Sequence, residues 1–167
     1  MVGSSKYRVV LALGSNVENR LYYLEEAITR IESELKVKVK RSAIYESAPV
    51  GYYSDNLYFN CCVSFSSEYS AESIHHILQK IETSLGRTRK EGIISDRTID
   101  IDIIFYGQEI ILTDDLTIPH PRMHLRGFVL VPLLDIESTF EHPILKKPVW
   151  QLYSECPDDS EIILYES

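Results

Sequence analysis

The chain contains 167 residues, of which 44% are hydrophobic, and it carries a net charge of −8. This length and apolar content suffice for one core, so we expect a single domain over residues 1–167. The acidic balance argues against a nucleic-acid partner, and no apolar run approaches the roughly 20 residues of a membrane span. With no signal-peptide pattern and three cysteines that lack zinc-site spacing, we expect a cytoplasmic monomer with reduced thiols.

The first half of the chain alternates strand and helix signals. Residues 8–13 form a short apolar run that predicts a buried strand, and residues 19–35 repeat apolar side chains at helical spacing. Alternation over residues 37–47 predicts a second strand, and residues 57–66 predict a third strand that pairs with it. Residues 70–85 then predict a second helix with a serine cap.

The second half completes the fold class. Residues 99–106 predict a fourth strand, residues 108–113 a small hairpin and residues 128–134 a further helix. The order β-α-β-β-α-β is that of a split βαβ unit. We therefore predict an α+β fold, a ferredoxin-like sandwich with an antiparallel sheet, helices on one face and C-terminal additions. The other sheet face would remain free, at least in part, for a ligand.

Two aspartates lie on one face of the fourth predicted strand. Residues i and i+2 of a strand point to the same side, so Asp100 and Asp102 are neighbours, whereas Ile99, Ile101 and Ile103 point to the other side. At about 7 Å and an effective dielectric of about 20, two carboxylates repel by roughly 2–3 kcal/mol, so a cation is expected between them. Such ligands suit Mg²⁺, which fills its remaining positions with water and substrate phosphates. Taken alone, the pair also fits a solvated strand face.

A basic segment precedes this strand although the chain as a whole is acidic. It contains Arg87, Arg89, Lys90 and Arg97. Guanidinium groups bind phosphate oxygens through paired hydrogen bonds, while carboxylates bind the accompanying metal. Together the two features predict a site for a nucleoside triphosphate with Mg²⁺. An ordinary solvated loop is the alternative.

Five short motifs occur in order along the chain. They are Leu13-Gly14-Ser15-Asn16, Tyr58-Phe59-Asn60, Glu82 with Gly86-Arg87, the run from Asp96 to Asp102, and Pro119-His120 with Arg126-Gly127-Phe128. This series resembles the 6-hydroxymethyl-7,8-dihydropterin pyrophosphokinase family, and the resemblance extends from about residue 8 to residue 135. The five motifs in order are far more specific than any one of them.

The resemblance implies transfer of diphosphate from ATP to the hydroxymethyl group of 6-hydroxymethyl-7,8-dihydropterin, with release of AMP, in folate biosynthesis. Asp100 and Asp102 would bind two Mg²⁺ ions that bridge the ATP phosphates, and Arg87 and Arg97 would close over the triphosphate. These four are the implied catalytic residues, and positioning and electrostatics would supply most of the catalysis. The general base stays open between Asp102 and activation of the hydroxyl by a metal.

The resemblance also implies two sets of binding residues. Tyr58 and Asn60 are two positions apart on one strand and so share a sheet face. Tyr58 and Phe128 would stack on the pterin, although core packing is the alternative for both aromatic rings. The pterin set is Ser47, Ala48, Val50, Tyr58, Asn60 and Phe128, and the ATP set is Glu82, Arg87, Arg97, Ile103, His120 and Arg126.

The chain departs from the family pattern at two places. Ile94-Ser95-Asp96 stands where many members have Trp-Gly-Pro, and Pro121 stands where a tyrosine often follows the histidine. Both changes concern loop closure and nucleotide contacts and leave the aspartates in place. We therefore expect effects on rate and nucleotide affinity rather than on the reaction.

Two other functions fit parts of the sequence. A palm-type nucleotidyltransferase also places acidic pairs on a ferredoxin-like sheet, but it needs a third carboxylate and a nucleic-acid groove. A small-molecule regulatory module of the same fold would make the aspartates incidental, and it has no need of Arg87 and Arg97. ATP binding that metal chelation abolishes would separate the enzymes from the module, and pterin binding would separate the two enzymes.

Overall fold

The computed structural model describes residues 6–88 and 95–166. Arg89, Lys90 and Ile94, which belong to the basic segment and to the first departure above, lie outside the described residues. The strands are β1 (Tyr7–Ser15), β2 (Lys40–Arg41), β3 (Tyr45–Ser47), β4 (Tyr58–Ser67), β5 (Asp100–Tyr106), β6 (Ile111–Leu112), β7 (Thr117–Ile118) and β8 (Ile163–Leu164). The α-helices are α1 (Arg20–Leu35), α2 (Ala71–Ser84), α3 (Gly127–Glu137) and α4 (Val149–Ser154), and a 3₁₀ turn covers Met123–Leu125.

Six strands form the main sheet, in the order β5-β1-β4-β3-β8, with β2 also paired to β4. Every one of these pairings is antiparallel. In this register Gly14 of β1 is opposite Asp100 of β5 on one side and Asn60 of β4 on the other. The prediction of mixed helix and strand with an antiparallel sheet is confirmed, and the sheet brings the motifs of three strands side by side.

Helices α1 and α2 pack on one face of this sheet. Their buried residues follow the predicted helical spacing, with Leu24, Ile28 and Ile31 on α1 and Ile74 and Leu78 on α2. These side chains share one core with the inward side chains of the strands. Burial of each such aliphatic side chain contributes about 1.5–3 kcal/mol, so this face supplies much of the driving force for folding.

Helices α3 and α4 cover part of the opposite face, around Val10, Cys62 and Phe105. The prediction of helices on a single face was therefore wrong. Helix α3 is apolar on nearly every side, and a helix of that kind requires burial against a second surface. Farther along β1, the residues on this face are Ala12 and Gly14, over which a cleft remains open.

The helix ends agree with the sequence in most respects. Ser70 Oγ accepts a hydrogen bond from Ser73 N–H at 3.1 Å and so caps α2, and Gly86 follows α2 with a φ of 90°. Asn19 precedes α1 but makes no capping hydrogen bond with its side chain. In the described part of the chain, no helix has the length and apolar content required to cross a membrane.

The predicted second strand at residues 37–47 is divided into β2 and β3. The break lies at Ser42, whose Oγ accepts a hydrogen bond from Cys62 N–H at 2.9 Å. The side chain thus takes the place of a backbone carbonyl in the ladder, a known competition for serine. Pairing with β4 resumes at Tyr45.

The predicted hairpin at residues 108–113 is larger than expected. Strand β6 pairs with β7, and the turn closes where Thr113 N–H donates to Leu116 O at 2.9 Å. Ile118 is fully buried and belongs to the main core together with Leu116. Because the side chains of Leu116 and Ile118 require burial, β7 extends the hairpin beyond residue 113, where the predicted hairpin ended.

Candidate active site

A cleft of about 250 Å³ opens over the end of the sheet where β1 carries small residues. Gly14 lies between Asp100 and Asn60 in the floor of this cleft. A Cβ added at Gly14 would lie 3.1 Å from Asn60 Oδ1 and 3.4 Å from Tyr58 Cδ1, so a glycine lets both side chains approach β1. The lining consists of Ala12, Leu13, Gly14, Ser47, Ala48, Val50, Tyr52, Tyr58, Asn60, Arg97, Asp100, Asp102, Arg126, Phe128 and Val129.

The lining divides into two kinds of surface. We call Arg97, Asp100, Asp102 and Arg126 the charged side of the cleft. We call Ser47, Tyr52, Tyr58, Asn60 and Phe128 the neutral side. All of the predicted pterin set lines the cleft, whereas Glu82, Arg87, Ile103 and His120 of the predicted ATP set do not.

The two aspartates face the cleft, as strand alternation predicts, while Ile101 between them is only 7% exposed and lies in the core. Asp100 Oδ1 accepts a hydrogen bond from Arg87 Nη1 at 2.8 Å, and its Oδ2 lies 3.5 Å from Arg97 Nη1. Among the described residues, no side chain donates a hydrogen bond to Asp102. The two neighbouring carboxylates therefore have very different partners.

Burial and negative charge dominate the environment of Asp102. Burial, together with the carboxylates of Asp100 and Glu82, raises the pKa of Asp102 to about 7, although Arg126 and Arg87 oppose the shift. A divalent cation would offset this negative charge, and two carboxylates with room for water and phosphate match the chemistry of Mg²⁺. No group of three or more His, Cys, Asp or Glu side chains suited to a metal occurs within residues 6–88 and 95–166, so substrate oxygens would have to complete the coordination.

Arg87 and Glu82 form an ion pair next to Asp100. Arg87 Nη1 lies 2.5 Å from Glu82 Oε2, and the two side chains are 13% and 3% exposed. Glu82 Oε2 also accepts a hydrogen bond from Ile101 N–H at 2.8 Å. These partners offset the unfavourable position of an acid near the C-terminal end of α2. In this structure the pair supports β5 and Asp100 rather than lining the cleft.

Arg97 and Arg126 supply the positive charge of the cleft. Arg97 Nε donates a hydrogen bond to Ser95 O at 3.3 Å. The guanidinium carbon of Arg126 lies 5.5 Å from the centre of the Phe128 ring. Burial lowers the pKa of Arg126 below its ordinary value, with the Asp102 carboxylate opposing this shift. An anionic ligand would therefore stabilise the Arg126 cation in this position.

His120 and Ile103 lie beside the charged side but outside the lining. His120 Nδ1 accepts a hydrogen bond from Arg122 N–H at 3.1 Å, and burial, assisted by Arg126, lowers the pKa of His120 to about 4. A neutral His120 with an accepting Nδ1 carries its proton on Nε2 and can donate from there. Ile103 is 6% exposed and belongs to the core under α1 and α2.

Hydrogen bonds fix the neutral side. Asn60 is 6% exposed, and its Nδ2 donates to Ser47 Oγ at 2.7 Å, which supplies the partner that a buried amide requires. The hydroxyl oxygens of Tyr58 and Tyr52 are 2.8 Å apart. Burial and the bond to Tyr52 raise the pKa of Tyr58 far above its ordinary value. The neutral side thus presents fixed, uncharged polar groups next to an aromatic ring.

Helix α3 brings Phe128 and Val129 to the cleft from its first turn. The start of this helix is fixed by the C-terminal segment, because Gly127 N–H donates to Asp158 Oδ2 at 2.8 Å. Ser160 holds the other oxygen of Asp158, with its N–H at 2.9 Å and its hydroxyl at 2.5 Å. A carboxylate is a favourable cap at a helix N-terminus, so the segment after α4 stabilises the position of Phe128.

Tyr52 and Asp96 lie outside the set of residues predicted for the site. Tyr52 lines the cleft from the loop between β3 and β4, and Asp96 accepts a hydrogen bond from it at 3.1 Å. Neither residue lies in a strand or helix, so no periodicity marks it. The one feature of the sequence that could have drawn attention to Asp96 is the departure from the family pattern at Ile94-Ser95-Asp96.

A model of one known protein family matches most of the chain. The model of 7,8-dihydro-6-hydroxymethylpterin-pyrophosphokinase (HPPK) matches residues 10–138, from β1 to the end of α3. The chain belongs to the HPPK family. Both sides of the cleft fall within the matched residues, and the segment with Asp158 lies beyond them.

Bacterial relatives of HPPK type match over most of their own length. The 2-amino-4-hydroxy-6-hydroxymethyldihydropteridine pyrophosphokinase of Bacillus subtilis is 41% identical over 127 residues, which are 75% of this chain and 75% of that protein. The protein of the same name from Porphyromonas gingivalis is 36% identical over 143 residues, or 84% of this chain and 97% of that protein. This chain spans 20% of Folic acid synthesis protein FOL1 of Dictyostelium discoideum, which is 39% identical over 139 residues and 82% of this chain.

Solved structures of Plasmodium falciparum HPPK-DHPS share the fold. One, a variant protein, has a TM-score of 0.72 and 16% identity, covering 92% of this chain and 46% of that chain. The wild-type protein with pterin and p-hydroxybenzoate has a TM-score of 0.71 and 17% identity, covering 92% of this chain and 43% of that chain. At this identity the likeness shows the fold alone.

Proposed function

We propose that this chain transfers diphosphate from ATP to the hydroxymethyl group of 6-hydroxymethyl-7,8-dihydropterin, releases AMP and serves folate biosynthesis. The observation that carries the proposal is the cleft, in which a charged side and a neutral side with a stacking ring share one floor. A nucleoside triphosphate and a flat heterocycle require these two surfaces next to each other. Membership of the HPPK family and the names of the bacterial relatives support the same reaction.

On the neutral side, the pterin ring stacks between Tyr58 and Phe128. Asn60 forms in-plane hydrogen bonds with the ring, and its buried amide is already oriented by Ser47. Ala48 and Val50 line the same pocket. By analogy with nucleobase stacking, each aromatic contact contributes roughly 1–3 kcal/mol to binding.

On the charged side, Asp100 and Asp102 would hold two Mg²⁺ ions together with ATP. Such ions would supply positive charge that neutralises the phosphates. Arg97 and Arg126 bind phosphate oxygens directly, and Arg87 acts from its position against Asp100. The hydroxymethyl oxygen attacks the β-phosphorus, the bond from that phosphorus to the α-phosphate oxygen breaks, AMP leaves with that oxygen, and the hydroxyl proton passes to Asp102 or to water.

The remaining residues of the ATP set contribute from outside the lining. His120 offers an Nε2 donor to the nucleotide. Glu82 orients Arg87 and holds the backbone of β5 at Ile101. The side chain of Ile103 is buried. Because β5 is an edge strand of the sheet, the backbone of Ile103 can offer hydrogen-bonding groups to the nucleotide base.

The assignment extends to the fold and setting of the protein. The order β5-β1-β4-β3 with α1 and α2 on one face supports a ferredoxin-like β-α-β-β-α-β unit, to which α3, α4 and β8 would be C-terminal additions. Residues 1–167 act as one pyrophosphokinase domain, as a monomer in the cytoplasm. The buried thiols of Cys61 and Cys62 are unpaired with each other, which suits a reducing compartment.

The deciding experiment separates AMP from ADP. Purified protein is incubated with ATP and Mg²⁺, with and without 6-hydroxymethyl-7,8-dihydropterin, and the nucleotides are separated chromatographically. We expect AMP only when the pterin is present, and none when 6-methyl-7,8-dihydropterin, which lacks the attacking hydroxyl, replaces it. Formation of ADP would indicate ordinary kinase chemistry, and the absence of any product from folded protein would contradict the proposal.

A further inference from the structure

Asp96 joins two loops and a turn around the neutral side of the cleft. Its Oδ1 accepts hydrogen bonds from Asn16 Nδ2 at 2.8 Å and Tyr52 OH at 3.1 Å. Its Oδ2 accepts from Ser54 Oγ at 3.0 Å and Asn56 Nδ2 at 2.6 Å. One carboxylate therefore ties the loop between β3 and β4 to the turn after β1 and to the segment that leads into β5.

The geometry around Asp96 requires an ionised carboxylate, because donors occupy both of its oxygens. Burial opposes ionisation, but the hydrogen bonds from Asn56, Ser54, Asn16 and Tyr52 outweigh it and lower the pKa of Asp96 below its ordinary value. An ionised carboxylate can only accept hydrogen bonds. The proton of the Tyr52 hydroxyl therefore points toward Asp96.

The direction of this bond determines the next one. The hydroxyl oxygens of Tyr52 and Tyr58 are 2.8 Å apart, so one of the two donates to the other. Tyr52 gives its single proton to Asp96, and Tyr58 must therefore donate to Tyr52. This bond fixes the Tyr58 ring in the cleft, which both tyrosines line.

We propose that Asp96 is a positioning residue: it orients Tyr52 and, through Tyr52, fixes the Tyr58 ring on which the bound heterocycle stacks. This inference rests on the proposed function, since the heterocycle is the pterin. Asn16, which donates to Asp96, also bonds to the backbone N–H and C=O of Arg97, at 2.9 and 3.2 Å. We therefore expect Asp96→Ala to affect Arg97 as well, whereas Tyr52→Phe leaves the bond between Asn16 and Asp96 in place and should act on heterocycle binding alone.

A double-mutant cycle tests this coupling. The variants are Asp96→Ala, Tyr52→Phe and the double variant, and the quantity is the dissociation constant of 6-hydroxymethylpterin with a non-cleavable ATP analogue, from pterin fluorescence. We expect each single change to raise this constant roughly tenfold, as for loss of a hydrogen bond to a charged group. Since both changes break the same chain of bonds, the double variant should weaken binding little more than either one. The KM for ATP should stay at the wild-type value in Tyr52→Phe.

Asp55→Ala is the matched control, because it removes one carboxylate from the same loop. The Asp55 carboxylate accepts a hydrogen bond from the exposed Tyr53 hydroxyl at 2.6 Å and does not line the cleft, so we expect wild-type binding. The inference is wrong if the two increases in the dissociation constant, from Asp96→Ala and Tyr52→Phe, multiply in the double variant. It is also wrong if Asp96→Ala binds the pterin as tightly as Asp55→Ala does. Should Asp96→Ala fail to fold, Tyr52→Phe must still raise the constant about tenfold without changing the KM for ATP, because one hydroxyl is lost from the hydrogen-bonded chain.

Wild-type protein that binds the pterin but forms no AMP would overturn the proposed reaction alone. Wild-type protein that binds no pterin would overturn both the proposed reaction and the role of Asp96.

Discussion

The charged and neutral sides of the cleft are held in place by different means. On the charged side, Asp100 lies between two guanidinium groups, and Glu82 completes an ion-pair network of low exposure. On the neutral side, Asn60 and Tyr58 are fixed by hydrogen bonds to uncharged neighbours, Ser47 and Tyr52. Ion pairs between residues of a short stretch of sequence hold the charged side in place. The neutral side depends on hydrogen bonds between loops and segments that are far apart in the chain.

This difference determines what a substitution should do on each side. Removing a charge from the network leaves another buried charge without its partner, which costs several kcal/mol. Removing one neutral hydrogen bond costs about 1 kcal/mol of stability, so its effect should be seen in ligand binding rather than in folding. The four experiments below test this contrast, in order of decreasing expected effect.

Asp102→Asn should have the largest effect, on turnover. The substitution keeps the shape of the side chain but removes a negative charge that we assign to metal and phosphate binding, and kcat should fall by roughly a hundredfold to a thousandfold. Stability should be unchanged or higher, because Asp102 is buried against the carboxylates of Asp100 and Glu82. Steady-state AMP formation and thermal unfolding measure the two quantities.

Asp114→Asn is the control for Asp102→Asn, since Asp114 is an exposed carboxylate outside the cleft. It should leave kcat at the wild-type value. A variant at Asp102 that keeps half of the wild-type turnover would contradict the two-metal assignment. Loss of turnover together with loss of folded structure would contradict the expected separation of function from stability.

Glu82→Gln should have the next largest effect, on stability. Glu82 is 2% exposed and pairs with Arg87, so removal of its charge should lower the free energy of unfolding by about 3 kcal/mol. Urea denaturation measures this change. Glu26→Gln is the matched control, because Glu26 pairs with Arg30 on the partly exposed surface of α1 and should cost no more than about 0.5 kcal/mol. Equal losses in the two variants would mean that the Glu82 network contributes no special stability.

The same contrast explains which parts of the fold the sequence predicted. The two large helices and the strands β1, β4 and β5 were found because each carries a regular apolar period over many residues. The division between β2 and β3 was missed because it depends on a single hydrogen bond, which the Ser42 side chain accepts from Cys62 N–H. The packing of α3 on the second sheet face was missed for another reason. The apolar sequence of α3 predicts that the helix is buried, but it does not identify the surface against which the helix packs.

The site follows the same pattern. The charged side could be predicted from Asp100, Asp102 and Arg97 taken together, because strand alternation places both aspartates on one sheet face and their repulsion calls for a cation nearby. The roles of Asp96 and Asp158 could not be predicted from one sequence. Each acts by accepting hydrogen bonds from residues that are distant in the chain, and such pairings become visible only in the folded structure.

Gly14→Ala should have a smaller effect, confined to the neutral side. The added Cβ would approach Asn60 Oδ1 to 3.1 Å and Tyr58 Cδ1 to 3.4 Å, so both side chains must shift within the cleft. We expect the KM for the pterin to rise about tenfold, from a strain of 1 to 2 kcal/mol, with little change in the KM for ATP. Ser15→Ala is the neighbouring control, because Ser15 is fully buried on the same strand and its Oγ has no hydrogen-bond partner among the described residues. A parallel rise in both KM values for Gly14→Ala would show that the two sides do not respond separately.

The smallest effect that we expect is in the pH dependence of stability, through His142. Its Nδ1 accepts hydrogen bonds from Ile144 N–H at 3.1 Å and Leu145 N–H at 3.0 Å, and burial lowers its pKa to about 4 from an ordinary value of 6.5. The unfolded chain therefore takes up a proton at a higher pH than the folded protein does. Stability is complete above about pH 6.5 and is lost progressively as the pH falls toward 4, by about 1 kcal/mol at pH 5.5 for this side chain.

His142→Asn should reduce this loss, because the asparagine Oδ1 can accept the same two backbone hydrogen bonds and does not titrate.

His120 provides the comparison beside the charged side, since its pKa is also lowered to about 4 and its Nδ1 accepts a hydrogen bond from Arg122 N–H. Both variants should flatten the decline in the free energy of unfolding between pH 7 and pH 5, as measured by urea denaturation at each pH. His120→Asn alone should also raise the KM for ATP, because His120 lies close to Arg126 and Asp100, whereas His142 packs against Phe105. A pH profile of stability that His142→Asn leaves unchanged would show that this histidine titrates at its ordinary pKa.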